Sequence, residues 1–91
     1  MLQKHISESD INELYDILVK INSVDDCKAL FADLCTVKEI EQMAQRIKAA
    51  KLLMDGKTYN KVIEETDISS ATLSRVSRCV QYGNGYSKLL K

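Results

Sequence analysis

Apolar residues recur along this chain at helical spacing. Ile11, Leu14, Tyr15, Leu18 and Ile21 fall at i, i+3, i+4, i+7 and i+10 behind Ser7, with Asp10 three positions after the serine. That pattern predicts an N-capped amphipathic helix over about 8–22. Ser23 and Asp26 repeat the start signal ahead of Val24, Cys27, Leu30, Phe31 and Leu34, which predicts a second helix over about 24–35. Thr36 and Glu39 have capping-box spacing. Beyond them Ile40, Met43, Ala44, Ile47, Ala50 and Met54 keep helical period, widened by Ala49, Leu52 and Leu53, so a central helix contacted on several sides is expected. Gly56 offers it a left-handed C-terminal cap. Thr58 opens a short helix to about Glu65, Thr66-Asp67-Ile68 makes a tight break, and Ser69 or Ser70 starts a further helix through about Gln81. Gly83-Asn84-Gly85 breaks the chain again, and Tyr86, Leu89 and Leu90 begin a last short helix. The pattern predicts an all-α fold of about six helices, with a helix-turn-helix at about 58–81, in a single domain over 1–91.

Composition narrows the picture. There is no proline and there are only three glycines, hydrophobic residues make up 45% and charged residues 29%. This suits a folded helical domain and is too apolar for a disordered chain. At 91 residues the chain holds one domain, and much of its apolar surface stays uncovered unless a second subunit covers it. No apolar run approaches the roughly 20 residues that span a bilayer, and Met1-Leu2-Gln3-Lys4-His5 lacks the apolar core of a leader. A cytoplasmic protein without membrane contact is expected. Cys27, Cys35 and Cys79 form no C-x-x-C, and His5 is the single histidine, so the thiols are read as small hydrophobes and no metal site is expected. No nucleophile elbow, H-E-x-x-H or phosphate loop is present, so the chain is not read as an enzyme.

The 13 basic and 13 acidic residues cancel overall, but they are unevenly placed. Residues 1–35 carry three basic and seven acidic side chains, while 36–91 carry ten basic and six acidic. The second part is suited to a polyanion. In a helix-turn-helix, apolar residues must flank the turn so that the first helix packs across the second, whose exposed N-terminal side enters the major groove. Val62, Ile68, Leu73 and Val76 occupy such inward places. Ser70, Ala71 and Ser74 are left near base edges, with Lys61, Arg75 and Arg78 suited to phosphates and Ser69 counted with them on the DNA-binding side. Thr66 stands where an apolar residue is usual and Asp67 where glycine often makes the turn; aspartate tolerates the left-handed conformation better than most residues. The alternative is a helical hairpin with a merely solvated basic end, in which case the chain is a protein–protein adaptor.

The block Glu41-Gln42-Met43-Ala44-Gln45-Arg46-Ile47-Lys48-Ala49-Ala50-Lys51-Leu52-Leu53-Met54-Asp55-Gly56-Lys57-Thr58, followed by Ile68-Ser69-Ser70-Ala71-Thr72-Leu73-Ser74-Arg75, resembles the Trp repressor superfamily, and within it the YerC/YecD group. The resemblance covers about residues 8–90. It implies an intertwined homodimer that binds duplex DNA at a palindromic operator. It also implies a pocket in which Arg46 and Arg75 match the arginines that flank an indole, with Thr36 and Thr72 nearby. Val76 falls where the tryptophan-binding repressors have glycine, and Cys79 replaces a serine there. Three extra carbons at a close approach work against tight tryptophan binding. No cofactor is expected, and an effector would be L-tryptophan or another small molecule. From the residues alone, Arg46 can equally pair with Glu39, Glu41 or Asp55, and Arg75 with a phosphate. Where those repressors place a basic residue near the start of the first motif helix, this chain has Asn60 beside Tyr59 and Lys61. Asparagine pairs with adenine, so the preferred operator is expected to differ. Tyr59 is read as packing on the helix or touching a phosphate, with base stacking as the alternative.

Overall fold

The computed structural model describes residues 3–91; Met1 and Leu2, part of the stretch read for a leader, lie outside the described residues. Six α-helices and no strand are present among the described residues: α1 Glu8–Leu18, α2 Val24–Leu34, α3 Val37–Met54, α4 Tyr59–Thr66, α5 Ser70–Tyr82 and α6 Gly85–Leu89. The chain divides into two compact units, one up to Thr36 and one over Val37–Lys91.

In the first unit both helices start where the side-chain signals put them. Ser7 and Asp10 form a full capping box: the Ser7 amide donates to Asp10 Oδ2 at 3.0 Å and the Asp10 amide donates to Ser7 Oγ at 3.2 Å. Ser23 Oγ accepts from the Asp26 amide at 3.0 Å, and Asp25 and Asp26 occupy the first turn of α2, where the helix dipole favours acids. The end of α1 corrects an expectation. Ile21 continues the apolar stripe, yet the helix stops at Leu18 instead of about 22. The amides of Lys20 and Ile21 donate to Ile17 and Leu18, the tighter three-residue pattern that ends a helix before Ser23 takes the extended backbone its cap requires. Neither α1 nor α2 contains a buried residue.

The second unit holds the buried core. Ala49 and Ala50 of α3 pack with Val62, Ile68, Leu73 and Val76, and Leu52, Leu53, Ile63, Val80, Tyr86 and Leu90 cover the cluster from outside. The small alanines let α4 and α5 come close to α3. Val62, Leu73 and Val76 are its largest fully buried side chains, each worth about 1.5–3 kcal/mol of burial. Four of these six buried residues are the inward positions expected of the helix-turn-helix. Gly56 ends α3 at φ 86°, and its amide donates to Leu53 O while that of Lys57 donates to Leu52 O. This is the Schellman arrangement, which satisfies the last carbonyls of the helix. The last helix begins at Gly85, one residue before the expected start, with Asn84 at its N-cap.

Candidate nucleic-acid interface and adjoining cleft

Thr58 and Ser69 start the two motif helices in the same way. Thr58 Oγ1 accepts from the Lys61 amide at 3.2 Å and Ser69 Oγ accepts from the Thr72 amide at 3.2 Å, so Ser69, not Ser70, is the cap of α5. Between the helices Asp67 adopts the left-handed conformation, φ 57° and ψ 25°. Thr66 repays its departure from an apolar type: its hydroxyl donates to Val62 O at 2.7 Å and accepts from the Ile68 amide at 3.3 Å. The hydroxyl thereby satisfies turn backbone groups that an aliphatic residue would leave to solvent.

α5 is two-faced. Leu73, Val76 and Ser77 are buried, whereas Ser70, Ala71, Ser74, Arg75 and Arg78 are exposed. Their small side chains leave the N-terminal half of the helix open to close approach, with the guanidinium groups alongside. After Asp67 the only charged side chains are those of Arg75, Arg78, Lys88 and Lys91, all basic. At the start of α4, Tyr59, Asn60 and Lys61 are exposed. Lys61 Nζ stands 4.0 Å from Glu64 Oε1, an exposed i,i+3 pair of small energetic weight. Ser69 is exposed too, but its hydroxyl is engaged, accepting from the Thr72 amide and donating to Thr72 Oγ1 at 3.0 Å.

Behind this face lies a cleft of about 950 Å³ between α3, α5 and α6. Arg46 and Ile47 line it from α3, and Thr72, Arg75, Val76 and Cys79 from α5. Five of the six residues matched to an effector pocket therefore meet on one cavity; the sixth, Thr36, belongs to the first unit and is exposed. Val76, 1% exposed, is part of both the core and the cleft wall. Tyr86 and Leu89 of α6, and Leu90 just beyond its end, also line the cleft. Their i, i+3, i+4 spacing marks one helix face in the sequence but does not say what that face meets. Cys79 is half-buried and, like Cys27 and Cys35, a free thiol. Among the described residues no helix is long and apolar enough to cross a membrane, and no cluster of three His, Cys, Asp or Glu side chains is arranged for a metal.

The comparisons with known proteins bear on this arrangement. Residues 9–91 match the family model described as Trp repressor protein. The chain is 41% identical over 75 residues to the uncharacterized protein YerC of Bacillus subtilis (strain 168), spanning 82% of this chain and 72% of that one. Among solved structures it is similar to a candidate Trp repressor from Staphylococcus aureus, with a TM-score of 0.83 and 36% identity over 99% of this chain and 92% of the other. It is also similar to a TrpR-like protein from Eubacterium eligens ATCC 27750, with a TM-score of 0.82 and 34% identity, covering 92% and 87% of the two chains. The family resemblance read from the central-helix and motif residues is borne out, as is the all-α, six-helix fold.

Proposed function

The chain belongs to the Trp repressor family, and from that premise we propose that it is a cytoplasmic transcriptional regulator, not an enzyme, that binds a palindromic operator as a homodimer. The observation that carries this reading is the two-faced α5. Its buried side is fixed to α3 and α4 through Leu73 and Val76, and its open side offers Ser70, Ala71 and Ser74 at the end that follows the turn. A helix held by its back and bare at its front fits the major groove, with Ser70, Ala71 and Ser74 near base edges and the capping residue Ser69 beside them. Lys61, Arg75 and Arg78 take phosphates, Asn60 pairs with adenine, and Tyr59 braces a phosphate.

Dimerisation is supported by apolar surface. Tyr15 is 59% exposed, Val24 70%, Leu34 52% and Val37 74%, and a second copy that interlocks with these segments removes them from water. Two-fold symmetry then sets the α5 helices about 34 Å apart, one DNA turn. The cleft lined by Arg46, Thr72, Arg75, Val76 and Cys79 is proposed to take a small effector. L-tryptophan or a different molecule fills that role, and no cofactor is required. Its ligand acts by binding one orientation of α5 better than another.

The test is a selection of random-sequence duplexes by the purified chain at near-physiological salt, with and without L-tryptophan. Enrichment of a palindrome in both arms supports a regulator independent of tryptophan, and enrichment only with tryptophan supports that effector. No enrichment in either arm, together with self-association that DNA does not compete, overturns the reading in favour of an adaptor.

A further inference from the structure

Gln45 lies on α3, away from the exposed face of α5, yet its side chain reaches the turn from which α5 starts. Its Nε2 donates to the carbonyl oxygen of Thr66 at 2.8 Å in a half-buried setting. Thr66 is the last residue of α4, and its carbonyl is among those a helix leaves without an internal partner. Close by along α3, Lys48 Nζ donates to the carbonyl of the preceding residue, Glu65, at 3.3 Å. The turn is also tied to itself, through the Thr66 hydroxyl to Val62 and Ile68 and through the Asp67 amide to Ile63. Those internal bonds fix the shape of the turn. The bonds from Gln45 and Lys48 fix where that shape stands against α3.

Packing alone does not set this placement. Val62 and Ile68 hold the turn to the core through dispersion and burial, which resist separation but are weakly directional. A hydrogen bond is directional, losing strength steeply when its angle falls. Lys48 is exposed and ends in a freely rotating ammonium, so the half-buried amide of Gln45 is the precise member of the pair. We propose that Gln45 is a positioning residue for DNA recognition: by clamping the Thr66 carbonyl it fixes the α4–α5 turn on α3, and so the angle at which α5 presents Ser70, Ala71 and Ser74. The clamp stands on the geometry, while its effect on duplex binding rests on the DNA-binding reading.

Gln45→Glu provides the test, because it keeps the shape and changes the donor. An ionised carboxylate places a second acceptor against the Thr66 carbonyl; a protonated one donates to it. The charged groups sharing that surface are Lys38, Glu41, Lys48 and Glu65, and Gln45→Leu, which faces the same groups without titrating, controls for them. The full-length chain is followed by amide hydrogen exchange at Asp67 and Ile68, and by affinity for a selected duplex, each relative to the unsubstituted protein at the same pH. At neutral pH both variants keep their helix content. Exchange at these amides rises and duplex affinity falls about fivefold, the factor that one lost hydrogen bond carries. At pH 4, just below the ordinary glutamate value of about 4.3, Gln45→Glu recovers most of the loss in both measurements and Gln45→Leu recovers none. Unchanged exchange in both variants, or a Gln45→Glu defect that matches Gln45→Leu at every pH, overturns the clamp. Exchange that responds as expected while the unsubstituted chain selects no duplex instead overturns the DNA-binding reading and leaves the clamp in place.

Discussion

The backbone amide of Asp67 donates to the carbonyl of Ile63 at 2.8 Å while Asp67 itself holds φ 57°, the only non-glycine residue with positive φ among the described residues. This residue ends α4 and turns the chain toward α5. A left-handed residue with a β-carbon costs roughly 1–2 kcal/mol, with aspartate among the more tolerant types. Asp67→Gly removes that strain and returns about 0.4–1 kcal/mol through the freer unfolded chain. The expected result is a melting temperature unchanged or raised by a few degrees, whereas Asp67→Val, branched at Cβ, lowers stability by about 2 kcal/mol. Thermal melts at one fixed protein concentration check this, because subunit association shifts the midpoint. A glycine variant that melts as low as the valine variant contradicts the strain argument.

How much of this was legible in the sequence follows from the range of each interaction. Ser7, Ser23, Thr58 and Ser69 each accept from an amide three residues on, so the helix starts are written locally. The same holds for Gly56 and for the inward set Val62, Ile68, Leu73 and Val76. The end of α1 was not legible, because Ile21 continues the stripe while the hydrogen bonds tighten after Leu18. Nor was the wall that α6 gives the cleft, since Tyr86, Leu89 and Leu90 come to line it only through tertiary packing. The Gln45–Thr66 bond spans 21 positions, and no local pattern points to it.

Acid sensitivity is expected at the start of α1. The backbone amide of Ser7, and then its hydroxyl, hold the Asp10 carboxyl below its ordinary value of 3.8. A carboxyl depressed in the folded state contributes stability that is fully present above its unfolded value and is lost as pH falls through the folded one. The capping box therefore opens only in acid, below the ordinary carboxylate range. In a carboxyl titration followed by NMR, Asp10 titrates lower than an unstructured aspartate, and Ser7→Ala, which removes the hydroxyl but keeps the amide, moves it only part of the way back up. An Asp10 midpoint in the unsubstituted chain equal to that of an unstructured aspartate refutes the assignment of cause.

The homodimer proposal makes a prediction about charge on the apolar surface. Val24 and Val37 are 70% and 74% exposed in the single chain, so a glutamate at either is harmless to a monomer. Buried against a second copy, an unpaired carboxylate is strongly unfavourable. Sedimentation equilibrium is expected to give a dimer for the unsubstituted chain and a shift toward monomer for Val24→Glu with Val37→Glu. A monomer in both cases removes the dimer and with it the palindromic operator.

Arg78 and Ser70 separate affinity from specificity. Both are exposed on α5, and neither contributes to the buried core. Arg78→Ala deletes a phosphate contact, so every duplex is bound more weakly and the slope of log affinity against log salt falls by about one. Ser70→Trp instead blocks close approach to base edges, changing which sequences are selected. Selection and salt titration on both variants check the division of roles. An Arg78→Ala slope equal to that of the unsubstituted chain shows that Arg78 touches no phosphate.

Val76 sets the fit of the cleft that Arg46 and Arg75 share. It is 1% exposed and lines the cleft, at a position where the resemblance to the tryptophan-binding repressors implies glycine. Val76→Gly removes three buried carbons at about 0.8 kcal/mol each and adds about 1 kcal/mol for glycine within a helix, so roughly 3 kcal/mol is lost. A domain of this kind holds about 5–15 kcal/mol in all, which leaves the variant folded but weakened, with Val76→Ala as a milder step. Tryptophan that enters the vacated space stabilises the folded state by about 2.7 kcal/mol at a hundred times its dissociation constant. Millimolar L-tryptophan is therefore expected to release heat on mixing with Val76→Gly and to restore most of its lost melting temperature, while leaving the unsubstituted chain unaffected. If neither variant responds, the cleft selects a different ligand. If the unsubstituted chain responds as strongly, Val76 does not close the site.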